Sequence, residues 1–461
     1  MLRFKKPNDE VQVQETKTAL GVTHAKFVRR QRPGKTPKLH FAPEPAHVFL
    51  QPENGEKVSI SLQELVQSRC QSLYSKFRPA PWLFNAHLQT LYSVLGDFSK
   101  TDQVQYQRRL VRLLDGGTLG LDFVPANPST VRDDAPIIVV QHGLTGGSHE
   151  PYIRAVLAPA CSPVEQGGLG YRAVVVNFRG CSGVPLTSPK FYTAAQTDDL
   201  RQGLMYISKL YPKAPLLGLG FSIGGNVLAR YLAEEGVNSL ICSACILGCP
   251  WDIKTNNDCL LRSKLGRFYL RGMGDNVMTL IRRHHKTFLD DPTTAKAAHT
   301  VLQLKKPTLT DFDHIFTCYV SDTPPFPFPD VHEYYTWAGS HKVADQIRVP
   351  CLTINAADDP VVQHVQMSSG QNGHIVSVLT AMGGHLGWFK SKRKRWTTKP
   401  VLEWMHLFGT ELVRDPVELS LSTDDAGYLR APRWPNLGCK EVPGGGLLDG
   451  NRPESQLLQG L

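Results

Sequence analysis

The chain has 461 residues, of which 41% are apolar and 20% charged, so it can bury a substantial core and is not a disordered polymer. Its formal net charge is +10, but part of that excess is local, in residues 26–38 and 390–395, and no nucleic-acid reading module accompanies it, so no nucleic-acid partner is expected. The ten cysteines are scattered: Cys242 and Cys245 fall inside a strand-like apolar run with no second pair at zinc-site spacing, so they read as small core residues, and no metal or cofactor is expected.

Charges begin at Arg3 with no apolar signal core behind them, and no stretch approaches the ~18 consecutive apolar residues of a membrane span. A cytoplasmic, non-secreted protein is expected. Trp388, Phe389 and Trp396 flank the basic run 390–395, a combination suited to peripheral contact with a membrane or lipid droplet.

In chain order, residues 1–75 are polar and punctuated by Pro33, Pro43, Pro45 and Pro52, and read as an extended or partly disordered arm. The next unit spans residues 76–250. It opens with Arg78-Pro79-Ala80-Pro81-Trp82-Leu83-Phe84-Asn85-Ala86-His87-Leu88-Gln89-Thr90, too aromatic for a linker and expected to pack on the core. Residues 110–123 read as two strands about the turn Asp115-Gly116-Gly117. Ile137-Ile138-Val139-Val140 has the apolar, β-branched character of a strand covered on both faces. It ends in Gln141-His142-Gly143-Leu144-Thr145-Gly146-Gly147, and parallel sheets place their chemistry in loops of that kind. Residues 173–178 form the next strand. Leu200, Leu204, Ile207, Leu210 and Tyr211 then recur at helical spacing and stop at Pro212.

An apolar run from residue 215 leads directly into Gly220-Phe221-Ser222-Ile223-Gly224, and Val227, Leu228, Tyr231 and Leu232 stripe the helix beyond it. Between a strand and a helix, G-x-S-x-G is a turn so tight that it lifts the serine hydroxyl above the sheet, while the amide of the following residue faces outward at a helix N-terminus. On its own the motif is more often a small-residue turn. A dinucleotide loop is disfavoured, because the third glycine of G-x-G-x-x-G would fall on Ile223.

Residues 251–348 break the alternation with apolar helical patterns and the loop Pro324-Pro325-Phe326-Pro327-Phe328-Pro329, and are expected to form a helical cap, the alternative being ordinary packing. The sheet resumes over 349–414. One strand ends in Asp358-Asp359-Pro360 and the next in Met382-Gly383-Gly384-His385-Leu386-Gly387. Residues 415–461, with Pro443-Gly444-Gly445-Gly446, read as a flexible tail. Strand and helix therefore alternate in a mostly parallel, doubly wound α/β sheet interrupted by a helical insertion.

Serine, acid and histidine follow one another along the chain, each just past a strand end. Ser222 needs a base to take its proton, His385 in its Gly-Gly-His setting is better placed for this than His87, His142, His364 or His374, and a carboxylate must orient the imidazole. Asp359 is preferred over Asp358 because it lies further beyond the strand. His142 is read as structural. Backbone N–H groups of Leu144, with Thr145 as second choice, and Ile223 are the candidate oxyanion donors.

Six segments carry a resemblance. Asn85-Ala86-His87-Leu88-Gln89-Thr90, His142-Gly143-Leu144-Thr145-Gly146, Asn177-Phe178-Arg179-Gly180-Cys181, Gly220-Phe221-Ser222-Ile223-Gly224-Gly225-Asn226, Ile354-Asn355-Ala356-Ala357-Asp358-Asp359-Pro360 and Gly383-Gly384-His385 together resemble one branch of the α/β-hydrolases, that of the fungal medium-chain fatty acid ethyl ester synthase/esterases and related animal abhydrolase-domain lipases. The resemblance spans residues 78–408. It implies an α/β-hydrolase fold and a serine esterase acting on medium-chain acyl esters or lipids, able in some members to pass the acyl group to an alcohol acceptor. By motif it places the nucleophile on Ser222, the acid on the Asp358-Asp359 pair and the base on His385. No N-terminal membrane anchor of the kind some animal relatives carry is expected, and the loop near Phe326 is expected to alter the acyl pocket. A catalytically silent binding protein is disfavoured, because all three side chains and both donor turns are present.

Overall fold

The computed structural model describes residues 35–451 except 52–54, 322–323, 367–371 and 416, together with the short strands Gln14–Lys17 and Thr23–Lys26. Its central element is a sheet of twelve described strands: β1 (Lys38–His40), β2 (Gln105–Leu113), β3 (Thr118–Val124), β4 (Ile137–Gln141), β5 (Arg172–Asn177), β6 (Leu216–Phe221), β7 (Ile241–Leu247), β8 (Cys351–Ala356), β9 (Ile375–Thr380), β10 (Ser422–Thr423), β11 (Leu429–Arg430) and β12 (Gly438–Asp449). They lie in the order β10-β11-β12-β2-β3-β5-β4-β6-β7-β8-β9-β1. The six strands from β5 to β9 run parallel, and the flanking strands pair antiparallel on either side.

The helices are α1 (Leu62–Arg69), α2 (Ala86–Leu95), α3 (Pro151–Cys161), α4 (Asp198–Leu210), α5 (Ile223–Glu235), α6 (Ile253–Leu261), α7 (Lys264–His284), α8 (Pro292–Leu302), α9 (Leu309–Ile315), α10 (Val331–Ala338) and α11 (Thr398–Thr410). The period-2 alternation of strand side chains divides the core into two layers. Ile138, Val140, Val175, Leu217 and Leu219 pack with α3 and α11 on one face. Ile137, Val139, Val174 and Val176 pack with α4 and α5 on the other. This is an α/β-hydrolase fold: a mixed, doubly wound sheet, with α6 to α10 inserted between β7 and β8.

The sheet order also fixes where chemistry can occur. Chain order runs outward from β4 to β5, then reverses to place β6 on the other side of β4. A crevice opens where connections diverge in this way. The loop carrying Leu144 follows β4, and Ser222 follows β6.

Two sequence expectations are corrected. Residues 35–75 are no loose arm: β1 pairs with β9, and His47–Leu50 and Val58–Ser61 form a hairpin that Leu412–Val413 extends. The Ser61 hydroxyl caps α1 by accepting the Glu64 N–H. Residues 1–34, apart from the two short strands, lie outside the described residues. The second correction concerns residues 415–461, of which 417–451 include three sheet strands while 452–461 lie outside the described residues. β12 pairs with β2 from Cys439 to Val442 and again from Gly446 to Asp449, and the glycine-rich stretch forms the bulge between. A Cβ on Gly445 would lie 2.2 Å from the Arg108 carbonyl oxygen, so the composition that suggests a linker reflects close backbone approach.

The segment also contributes to the core, since Leu429, Trp434 and Cys439 pack with Val111 and Leu113. Trp434→Ala is expected to destabilise the protein by about 3 kcal/mol, measured by chemical denaturation, and an unchanged midpoint would mark the segment as dispensable.

Candidate active site

The turn between β6 and α5 gives Ser222 φ +51° and ψ −123°, a strained conformation that costs on the order of 1–3 kcal/mol. Neighbours over-determine it. The Ser222 N–H donates to the Leu247 carbonyl at 2.9 Å, and the Gly225 N–H donates to the Ser222 carbonyl at 3.0 Å. The flanking glycines answer to close contact: a Cβ on Gly220 would lie 2.6 Å from Gly225 Cα, and one on Gly224 would lie 2.3 Å from the His142 carbonyl oxygen. The N-terminus of α5 therefore abuts the loop after β4.

His385 Nε2 lies 2.9 Å from Ser222 Oγ, and its Nδ1 lies 2.9 Å from Asp359 Oδ2. Asp359 can only accept in its ionised form, so Nδ1 carries the proton and Nε2 is left to accept from the serine. The other Asp359 oxygen accepts the N–H groups of Val361 and Val362, each at 2.8 Å. Asp358 engages the backbone instead: its Oδ1 accepts the Gly384 N–H at 2.9 Å, and burial pushes its carboxyl up to about 7. A hydroxyl, an imidazole and a carboxylate in series can generate an alkoxide-like nucleophile and return the proton to a leaving group.

In the loop after β4, the Gly143 N–H donates to Tyr152 Oη at 3.0 Å and the Thr145 N–H to Tyr192 Oη at 3.2 Å. Among the described residues neither the Leu144 nor the Ile223 N–H has a partner, and both residues border the same cavity as Ser222. Two uncommitted amides beside a nucleophile can receive a developing oxyanion. His142 has both ring nitrogens engaged, with Nε2 accepting the Phe178 N–H and Nδ1 donating to the Gly143 carbonyl. Burial pulls its pKa down to about 4, so it stays neutral and structural.

Several supporting residues escape sequence reasoning. Thr90 Oγ1 accepts the His385 N–H at 2.8 Å, and Gln89 Oε1 accepts the Phe389 N–H at 2.8 Å, so α2 fixes the loop that carries His385. The segment Asn85 to Thr90 stands out in the sequence, but its packing partner is not legible there. Arg395 corrects the picture of residues 390–395 as a solvated run flanked by surface aromatics. It is 4% exposed, and it donates to the carbonyls of Leu386 and Pro151 and to Ser93 Oγ. Trp388, Phe389 and Trp396 are likewise buried. Asn256 of α6 donates to the Val361 carbonyl and accepts the N–H groups of Gln363 and His364, tying the inserted helices to the loop that follows Asp359.

The cavity at Ser222 measures about 100 Å³ and is walled mainly by Leu144, Ile253, Leu260, Leu270, Met273 and Phe312. Phe326 and Phe328 pack behind Tyr334 of α10 rather than lining it, so the Pro-aromatic loop buttresses the wall. A larger cavity of about 540 Å³ lies beyond Phe191 and Tyr192 and does not reach Ser222. Its charged side chains are largely paired, as Arg179 is with Asp115 and Asp199. Among the described residues no cluster of His, Cys, Asp or Glu could hold a metal ion.

Comparison with known proteins bears on the family. Residues 136–291 match the family model described as alpha/beta hydrolase fold. The chain is 30% identical over 399 residues to the medium-chain fatty acid ethyl ester synthase/esterase 2 of Saccharomyces cerevisiae, covering 72% of this chain and 86% of that protein. The chain belongs to the α/β-hydrolase family. This α/β-hydrolase is also similar to the monoacylglycerol lipase of Saccharomyces cerevisiae, at 28% identity over 77% of this chain and 85% of the relative. It is 29% identical to phospholipase ABHD3 of Mus musculus over 72% of this chain and 77% of the relative.

The support that α2 gives to His385 can be tested directly. Thr90→Val leaves the His385 N–H unpaired, and Ser222 should then react with a fluorophosphonate about tenfold more slowly, with Thr90→Ser restoring the rate. Equal rates in all three proteins would mean that the loop is held without this bond.

Proposed function

We propose that this α/β-hydrolase is a serine carboxylesterase or lipase that cleaves medium-chain fatty acyl esters through an acyl-enzyme. The observation that carries the reading is the pair of 2.9 Å separations from Ser222 Oγ to His385 Nε2 and from His385 Nδ1 to Asp359 Oδ2. Ser222 Oγ attacks the ester carbonyl while His385 takes its proton, and the oxyanion receives the N–H groups of Leu144 and Ile223. Collapse of the intermediate expels the alcohol, which accepts the proton from Nε2. Water then attacks the acyl-enzyme by the same proton route and releases the acid.

The apolar wall of the cavity suits an acyl chain. Relatives named as a monoacylglycerol lipase, an ethyl ester synthase/esterase and a phospholipase support an ester of lipid character. An alcohol can replace water in the second step, which gives ester synthesis as the alternative outcome. The name of the synthase/esterase relative favours keeping that reading.

Ser222→Ala is expected to abolish fluorophosphonate labelling and to lower hydrolysis of p-nitrophenyl octanoate by at least about 10⁴-fold. Labelling that persists would move the nucleophile elsewhere. Across p-nitrophenyl esters of increasing chain length the optimum should fall at medium length, and an optimum at acetate would overturn the substrate class. Ethyl ester formed in the presence of ethanol would mark the transferase outcome.

We further propose that the enzyme works at the surface of an anionic membrane. No helix among the described residues is long and apolar enough to cross one. Instead, Trp82 and Phe84 are 47% and 55% exposed beside the basic turn. The Trp82 ring lies 4.6 Å from that of Tyr92, whose hydroxyl donates to the Lys392 carbonyl, and Lys390, Lys392, Arg393 and Lys394 are all exposed. Each cation near such a surface contributes about 1 kcal/mol. In flotation assays the protein should rise with anionic but not zwitterionic vesicles, and exchanging Trp82 and Phe84 for serine should cut the bound fraction about tenfold. Equal binding to both vesicle types would refute the surface.

A further inference from the structure

Polar side chains, Thr193 and Asn256 among them, interrupt the apolar wall of the cavity at Ser222, and one group of them is shared by three helices. In that group α6, α9 and α10 each contribute a hydrogen-bonding side chain, namely Asn257, Asp313 and Tyr335, and all three border the cavity. Thr310 Oγ1 donates to Asn257 Oδ1 at 2.6 Å, Tyr335 Oη to Asp313 Oδ2 at 2.7 Å, and Thr317 Oγ1 to Asp313 Oδ1 at 2.5 Å. Thr310 and Tyr335 also interact through their side chains, so the group forms one connected strip. Asn257 and Asp313 are 4% and 8% exposed.

One donor in the strip is idle. Asn257 Nδ2 is sealed from solvent and has no hydrogen-bond partner among the described residues. Leaving a buried donor unmatched costs about as much as a whole hydrogen bond, whereas leucine at this position would match neighbouring Leu260 and Leu270 in character. Asp313 is also unsaturated as an acceptor: each of its oxygens receives one side-chain bond and has a second lone pair.

An idle donor and a carboxylate with spare lone pairs on one polar strip select for a particular group. A hydrocarbon chain leaves both unmatched. A phosphate or carboxylate would accept from the amide but be repelled by Asp313, and an ammonium group would pair with Asp313 but repel the amide hydrogens. A hydroxyl accepts from one and donates to the other. We propose that Asn257 and Asp313 form a subsite for a free hydroxyl carried by the ester substrate.

This subsite rests on the reading that Ser222 attacks an ester, and it makes hydroxyl-bearing esters the preferred class. The hydroxyl has two chemical sources: the alcohol portion, as in a partial ester of a polyol, or the acyl chain itself. Either would present the same group to the strip, and specificity arises because an analogue lacking the hydroxyl leaves buried polar atoms unpaired.

The full-length enzyme is assayed on two matched pairs. Monooctanoylglycerol against propyl octanoate varies the alcohol, and p-nitrophenyl ω-hydroxyoctanoate against p-nitrophenyl octanoate varies the acyl chain. In at least one pair the wild type should favour the hydroxylated member by about tenfold or more in kcat/KM, and that pair identifies the source. Asn257→Leu should reduce the preference to within about threefold, mainly by lowering kcat/KM for the hydroxylated ester. Asp313→Asn, which keeps the side-chain shape, repeats the test should the first variant misfold. No preference in either pair for the wild type, or a preference that survives both substitutions, overturns the subsite. Fluorophosphonate labelling of Ser222 is measured in parallel: its failure in the wild type would refute the nucleophile, whereas normal labelling with lost discrimination supports the subsite.

Discussion

The close approach of the α5 N-terminus to the loop after β4 is the constraint on which the site depends. At Gly224 there is no room for a side chain against the His142 carbonyl, and at Ser222 the backbone is held in a left-handed conformation by bonds to Leu247 and Gly225. This contact sets the amides of Leu144 and Ile223 on the border of one cavity. It also aims the serine hydroxyl away from the sheet. The strain is local, and its cost is spread over a core in which both faces of the parallel strands are buried.

Much of this was legible in the sequence because it is periodic or punctuated. The β-branched run at Ile137 to Val140, the strand–turn–helix at Ser222 and the helical spacing from Leu200 to Leu210 each report local physics, and each forms the expected element. The order of serine, acid and histidine carries further, because a doubly wound sheet delivers successive strand ends to a single rim. Of the two adjacent acids, Asp359 meets the imidazole, and Asp358 holds the turn below it.

What was not legible depends on contacts distant in sequence. β12 is solvated along most of one face and interrupted by a proline-glycine bulge, so it has neither the alternation nor the apolar content that marks a strand. β1 is three residues long and gains its identity only by pairing with β9. Arg395 shares a run with four exposed cations, and nothing in composition separates the one that turns inward beneath Phe389 and Phe98. Thr90 and Gln89 act through a loop nearly three hundred residues away.

The grip of Asn256 on the segment after Asp359 links two parts of the molecule that are usually considered separately. One amide side chain, seated on the first inserted helix, touches the backbone at residues 361, 363 and 364, and the amides of residues 361 and 362 are themselves what the carboxylate leans on. The inserted helices and the Asp359 carboxylate therefore share a support. The same inserted helices that wall the cavity thus brace the stretch on which the carboxylate beside His385 rests.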